Sequence, residues 1–128
     1  FVTIGDFDFK FCGYRKRRLL PDRGIYMQKM IYHLGVDIGS TTIKFVVLDE
    51  KERIIFKDYF RHLSDPSTAF LQEIQKILAI IDGREFSLIL TGSAGFGFAE
   101  RMGVPHVQEV IACRAALRSL LPEAETAV

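Results

Sequence analysis

Three strand-like segments joined by turns too short for any crossover constrain this chain most. Residues 31–38 (Ile-Tyr-His-Leu-Gly-Val-Asp-Ile), 43–48 (Ile-Lys-Phe-Val-Val-Leu) and 54–60 (Ile-Ile-Phe-Lys-Asp-Tyr-Phe) are rich in β-branched and aromatic side chains. A parallel pair needs a connection of a dozen or more residues, so these three neighbours must run antiparallel. A helix follows. Asp65 is a good N-cap and Pro66 suits the first helical position, where its missing N–H is not needed. Phe70, Ile74, Ile77, Leu78 and Ile81 recur at helical spacing and form one apolar stripe, closed by Asp82-Gly83. Residues 86–91 read as a fourth strand buried on both faces, and the Gly-rich stretch 92–97 leads into a short helical segment near 98–102. A second helix is predicted near 108–121, with Val110, Leu117, Leu120 and Leu121 on one face, and a fifth strand begins toward Val128. The order is β-β-β-α-β-α-β, an α/β fold with a five-stranded mixed sheet and helices on its faces.

At 128 residues the chain holds one domain at most. Its hydrophobic share of 48% and charged share of 26% are those of a globular protein. A net charge of +1 gives no reason to expect nucleic acid or an anionic membrane as partner, and no apolar run approaches the roughly 18 residues of a membrane span. Cys12 and Cys113 stand far apart with no second pair, which suggests neither a zinc site nor a disulfide framework; a reducing, cytoplasmic setting is expected. Residues 1–29 lack sustained periodicity and are expected to be an irregular leader, with Met30 or Met27 as the native start. The basic run Arg15-Lys16-Arg17-Arg18 within it reads as a solvated segment rather than an import or nucleic-acid signal. The orderly part is 30–128.

The turn between the first two strands carries chemistry. Asp37-Ile38-Gly39-Ser40-Thr41-Thr42, followed by Lys44, places an acid at a strand end and then a small-residue turn rich in backbone N–H groups and hydroxyls. Such a concavity suits the terminal phosphates of a nucleotide. Gly39 lets the chain bend and a phosphate approach the backbone. Asp37 is suited to hold hydrated Mg²⁺ or to orient an attacking water. Lys44 either adds positive charge or, by strand alternation, points to solvent. A plain hairpin turn uses the same residue types.

The segment 33–44 resembles the first phosphate motif of the actin-like ATPase superfamily, and the strand–helix order resembles its ribonuclease-H-like (actin/Hsp70-type) half-domain. Within that superfamily the chain resembles the activator ATPases of 2-hydroxyacyl-CoA dehydratases and benzoyl-CoA reductases, the CoA-substrate-specific enzyme activases. Leu90-Thr91-Gly92-Ser93-Ala94-Gly95 resembles the family's strand-then-Thr-Gly segment. Val107-Gln108-Glu109-Val110-Ile111-Ala112-Cys113-Arg114-Ala115-Ala116 resembles its Glu-hydrophobic-Cys-His-Ala stretch, with Arg114 where the family has His. The resemblance covers 31–128. It implies ATP or ADP with Mg²⁺ as ligands, and contacts to phosphate from Gly39, Ser40, Thr41, Thr42, Lys44 and Gly92. It also implies a homodimer holding one [4Fe-4S] cluster and a dehydratase or reductase as partner. The implied cluster ligands and the second phosphate loop lie beyond Val128, so the chain is expected to be an N-terminal part, inactive by itself.

Other features have plainer readings. The 92–97 loop lacks dinucleotide-fingerprint spacing, and no Walker A pattern occurs; it either lines the cleft or simply connects strand to helix. His33, His62 and His106 are dispersed and are expected to be structural. Cys113 is expected to be buried packing, and Glu109 needs no role beyond favouring a helix start. The alternatives are a sugar or metabolite kinase of the same superfamily, which would need an insertion before Asp65, and a non-catalytic scaffold, which has no use for a phosphate cradle.

Overall fold

The computed structural model describes residues 2–4, 7–9 and 31–123. Within residues 1–29, β1 (Val2–Ile4) and β2 (Phe7–Phe9) pair antiparallel with Ile4 opposite Phe7. Gly5-Asp6 between two short apolar runs is a two-residue hairpin signal. The basic run at 15–18, Cys12, both candidate start methionines and the fifth strand expected at Val128 lie outside the described residues.

The main sheet is formed by β3 (Tyr32–Ile38), β4 (Thr42–Leu48), β5 (Ile54–Arg61) and β6 (Phe86–Thr91), in the order β5-β4-β3-β6. The pairs β3–β4 and β4–β5 are antiparallel, as the short turns require. Strand β6 lies parallel to β3 and is reached through helix α1 (Pro66–Ile80). Helices α2 (Gly95–Met102) and α3 (Glu109–Leu120) follow. Between them the chain runs beside β6 for one bridge, with Pro105 O accepting from Leu90 N at 3.0 Å and Leu90 O accepting from Val107 N at 2.9 Å.

The buried strand residues alternate and so share one face: Leu34, Val36 and Ile38, then Ile43, Phe45 and Val47, then Leu88 and Leu90. Against them pack Phe70, Ile74, Ile77 and Ile81 of the α1 stripe and Phe98 of α2. Phe60, Phe45, Phe70 and Phe98 form a line of rings with successive centroids 6.2, 5.8 and 5.8 Å apart, which ties both helices to the sheet. Each side chain of this size contributes roughly 2 kcal/mol by leaving water. Helix α1 starts as its sequence dictates: Asp65 Oδ1 accepts from Thr68 N at 3.1 Å and Pro66 opens the first turn. Gly83, in the left-handed region at φ 64°, closes its end.

Three expectations need correction. Strand β6 is buried on one face only, since Ile89 on the other is 41% exposed and no described helix covers it. Helix α2 begins at Gly95, within the stretch read as a loop, because Gly95 N donates to Gly92 O at 3.1 Å and starts the turn. Val110, Leu120 and Leu121 of the α3 stripe are exposed, Val110 by 79%, with Leu117 half-buried, and Cys113 is exposed too; no residue of α3 is fully buried against the described residues. No helix among the described residues is long and apolar enough to cross a membrane.

The β4–β5 turn is held by one carboxylate. Asp49 is buried, and its Oδ1 accepts from Lys51 N at 2.9 Å and Arg53 N at 3.0 Å, while Oδ2 takes Arg53 Nε at 2.7 Å. The Arg53 side-chain hydrogen bond, then the backbone ones, holds the Asp49 carboxyl below the usual carboxylate range. A folded pKa below the unfolded value stabilises above the ordinary aspartate range, and that contribution disappears as pH falls through the depressed value. The stability gap between the wild type and Asp49→Asn is therefore expected to shrink from pH 7 to pH 3 in urea titrations. A gap constant across that range would contradict this reading.

Candidate functional site

The site lies at the carboxyl ends of β3 and β6, the edge where open α/β sheets bind ligands. Asp37, Lys44, Tyr59 and Thr91 occupy one cross-strand row, since Asp37 is in register with Lys44 and Thr91, and Lys44 with Tyr59. This row is on the face opposite the helix-covered core. Lys44 Nζ donates to Asp37 Oδ2 at 2.5 Å, so alternation does send Lys44 to the open face, but onto the acid rather than away from it. The lysine side chain is 47% exposed and the aspartate 19%. An ion pair this open to water adds little stability, on the order of 1 kcal/mol or less. The Asp37 hydrogen bond is the main cause holding the Lys44 ammonium above its ordinary pKa, partly offset by burial, with smaller contributions from Asp37's charge, Glu109 and Tyr59.

In the 39–42 turn, Gly39 N donates to Thr42 O at 2.9 Å, so that amide is already engaged. Ser40 and Thr41 are exposed, and their amides have no partner among the described residues. They are the N–H groups the turn offers to an anion, fewer than the sequence alone suggests. Thr42 opens β4. A side chain at Gly39 would meet Thr42 O at 3.4 Å, a close but ordinary contact, so the need there is clearance rather than an unusual backbone.

The glycine that the fold does require is Gly92. Its φ is +92°, and a Cβ there would lie 2.6 Å from the Ile38 carbonyl carbon, and closer still to that carbonyl's oxygen and to Asp37 Oδ1. Gly92 therefore brings the end of β6 directly against the acid, and Ala94 N donates to Ile38 O at 2.9 Å beside it. Of the two readings of the 92–97 loop, the one lining the site fits its first residue. The rest of the loop enters α2.

The structure thus brings Asp37, Gly39, Ser40, Thr41, Thr42, Lys44 and Gly92 to one edge of the sheet. It adds Thr91, which the sequence did not single out, and gives positions to Glu109 and the three histidines read as structural. Thr91 Oγ1, next to Asp37 in register, is buried without a partner among the described residues; a hydroxyl at the end of a strand parallel to β3 was the available signal. Glu109, at the start of α3, is among the charges acting on Lys44. His62 is buried beneath the turn, with Nε2 3.2 Å from Gly39 O. His33 sits at the far end of β3, 2.8 Å from Ser87 Oγ. His106 packs edge-on to Phe96 at 5.6 Å.

An acid, a lysine and two open amides on a sheet edge have the chemistry that a polyphosphate and its counterion would need. One carboxylate with water is a normal protein share of a Mg²⁺ site completed by phosphate oxygens, and Asp37 fits that part.

No protein-family model matches the chain, and no curated protein sequence does. Solved structures do. Component A of (R)-2-hydroxyglutaryl-CoA dehydratase from Acidaminococcus fermentans superposes with a TM-score of 0.59 at 20% identity, over 75% of this chain and 38% of its own. The activator of the 2-hydroxyisocaproyl-CoA dehydratase from Clostridium difficile, solved with bound ADPNP, gives 0.60 at 20% identity, over 73% of this chain and 35% of its own. A ROK-family transcriptional regulator, a homologue of the E. coli MLC protein, gives 0.50 at 11% identity over 70% of this chain and 31% of its own. The chain therefore spans well under half the length of these structures. The likeness shows the fold alone: a mixed α/β fold shared with these structures, with four strands in the described main sheet where five were expected.

Proposed function

We propose that this chain is the nucleotide-binding part of an ATP-dependent activator, one that couples ATP hydrolysis to electron delivery into a 2-hydroxyacyl-CoA dehydratase or benzoyl-CoA reductase-type enzyme. The observation that carries this reading is the Asp37–Lys44 pair beside the open 40–41 amides, at the carboxyl edge of β3 and β6. A dehydratase activator with the same fold was solved with an ATP analogue bound. In this reading Ser40 and Thr41 donate backbone N–H groups to the terminal phosphates and Lys44 neutralises part of their charge. Asp37 holds the water shell of Mg²⁺ or orients the attacking water. Thr42 and Gly39 shape the turn, and Gly92 keeps the second strand end close to the acid without obstructing it.

The electron carried to the partner enzyme would be supplied by a [4Fe-4S] cluster in a homodimer. Among the described residues no group of three or more His, Cys, Asp or Glu is arranged to hold a metal ion, and neither Cys12 nor Cys113 is assigned to the cluster. Calorimetry with Mg-ADP tests the reading. Binding is expected, weakened about tenfold by Lys44→Ala through loss of a charge-assisted contact. Absence of any heat of binding would leave a scaffold of this fold.

A further inference from the structure

We propose that His62 is a positioning residue for the phosphate turn, and this rests on the nucleotide-binding reading above. His62 ends the segment after β5, and only 7% of its surface reaches solvent. Its ring and its backbone both engage the turn: Nε2 lies 3.2 Å from Gly39 O, and the backbone N donates to Thr41 O at 3.2 Å. A carbonyl only accepts, so the Nε2 atom carries the proton.

The consequence follows from peptide geometry. The unit joining Gly39 to Ser40 is planar and trans, so its C=O and N–H point in opposite directions. With the Gly39 carbonyl drawn inward onto His62, the Ser40 N–H must point the other way, away from the buried ring. Without that anchor the unit is free to rotate and the amide loses its aim. The Nδ1 atom is buried with no partner among the described residues, so packing and the Gly39 contact alone hold the ring. The chain after His62 is bent to keep it there. Leu63 and Ser64 follow at φ 48° and 66°, a region non-glycine residues seldom adopt, and Asp65 N donates back to His62 O at 2.8 Å before α1 begins. One residue, through its ring and its backbone, thereby links the phosphate turn, the end of β5 and the cap of α1.

Two substitutions in the full chain separate positioning from packing. The glutamine amide nitrogen reaches about as far as Nε2, whereas that of asparagine reaches only as far as Nδ1. His62→Gln should keep Mg-ADP affinity close to wild type, and His62→Asn should weaken it about tenfold, the scale of one lost hydrogen bond. Backbone ¹⁵N relaxation, with no nucleotide present, should give Ser40 the order of rigid backbone in wild type and His62→Gln, and that of a flexible segment in His62→Asn. Equal Ser40 order in both variants and wild type would overturn the proposal. So would a long-range ¹H–¹⁵N spectrum of the unmutated chain that places the His62 proton on Nδ1. If Ser40 loosens in His62→Asn but the wild type binds no Mg-ADP, the positioning role stands and the nucleotide reading falls. If the wild type binds and both variants bind equally well, the nucleotide reading stands and the positioning role falls.

Discussion

Gly92→Ala is expected to lower stability by about 3 kcal/mol, enough to remove much of a small domain's margin. Two effects combine. A φ of +92° is strained for any residue with a Cβ, and the added carbon would overlap the Ile38 carbonyl, which is backbone and cannot swing aside. The end of β3 or of β6 would have to shift, and both carry the site. Ile38 is fully buried in the core, and its carbonyl already accepts from Ala94 N, so neither side yields easily. A thermal melt should show the midpoint falling by more than about 10 °C. A melt within a degree or two of wild type would mean that the two strand ends are not packed as described. Gly39→Ala is the matched control, because its Cβ would meet only an ordinary contact; a much smaller shift is expected there.

Asp37→Ala is expected to abolish ATP turnover by the complete ATPase to which the proposed reading assigns this chain, while leaving the fold intact. A water-orienting or metal-holding carboxylate contributes through charge placed before the reaction, and removing such a group typically lowers rate by a factor of about 10² to 10³ or more. The fold should survive, since Asp37 sits on the open face and its pairing with the half-exposed Lys44 contributes little to stability. Circular dichroism and single-turnover hydrolysis, measured on the same preparation, separate the two effects. Undiminished hydrolysis by a well-folded variant would remove Asp37 from the mechanism.

Features set by local chemistry were legible in the sequence. Short polar turns forced β3, β4 and β5 into antiparallel pairs, and Asp65-Pro66 with the 70–81 stripe defined α1 before any tertiary contact was known. Features set by distant contacts were not. The α3 stripe looks buried because apolar periodicity implies a partner, yet periodicity says nothing of whether the described residues contain one. Gly95 and Gly97 read as loop, yet they form the first turn of α2, where Gly95 N donates to Gly92 O.

A sequence displays a glycine but not its φ, so the positive φ that sets Gly92 apart from Gly39 was not legible. His62 was indistinguishable from any isolated histidine, because the carbonyl it holds is 23 residues away. The acid, the turn and the lysine were legible because they lie on two adjacent strands of a hairpin. Thr91 and Glu109 reach the same edge through a crossover and a helix start, which no local pattern encodes.

The most direct test of the central claim is a Mg-ADP titration of the ¹⁵N-labelled full chain, followed amide by amide. The account predicts that the largest saturating shifts fall on Ser40 and Thr41, with Lys44 and Gly92 next and the exposed face of α3 unmoved. Shifts confined to α3 or β5, with the 39–42 turn unchanged at saturating nucleotide, would contradict it.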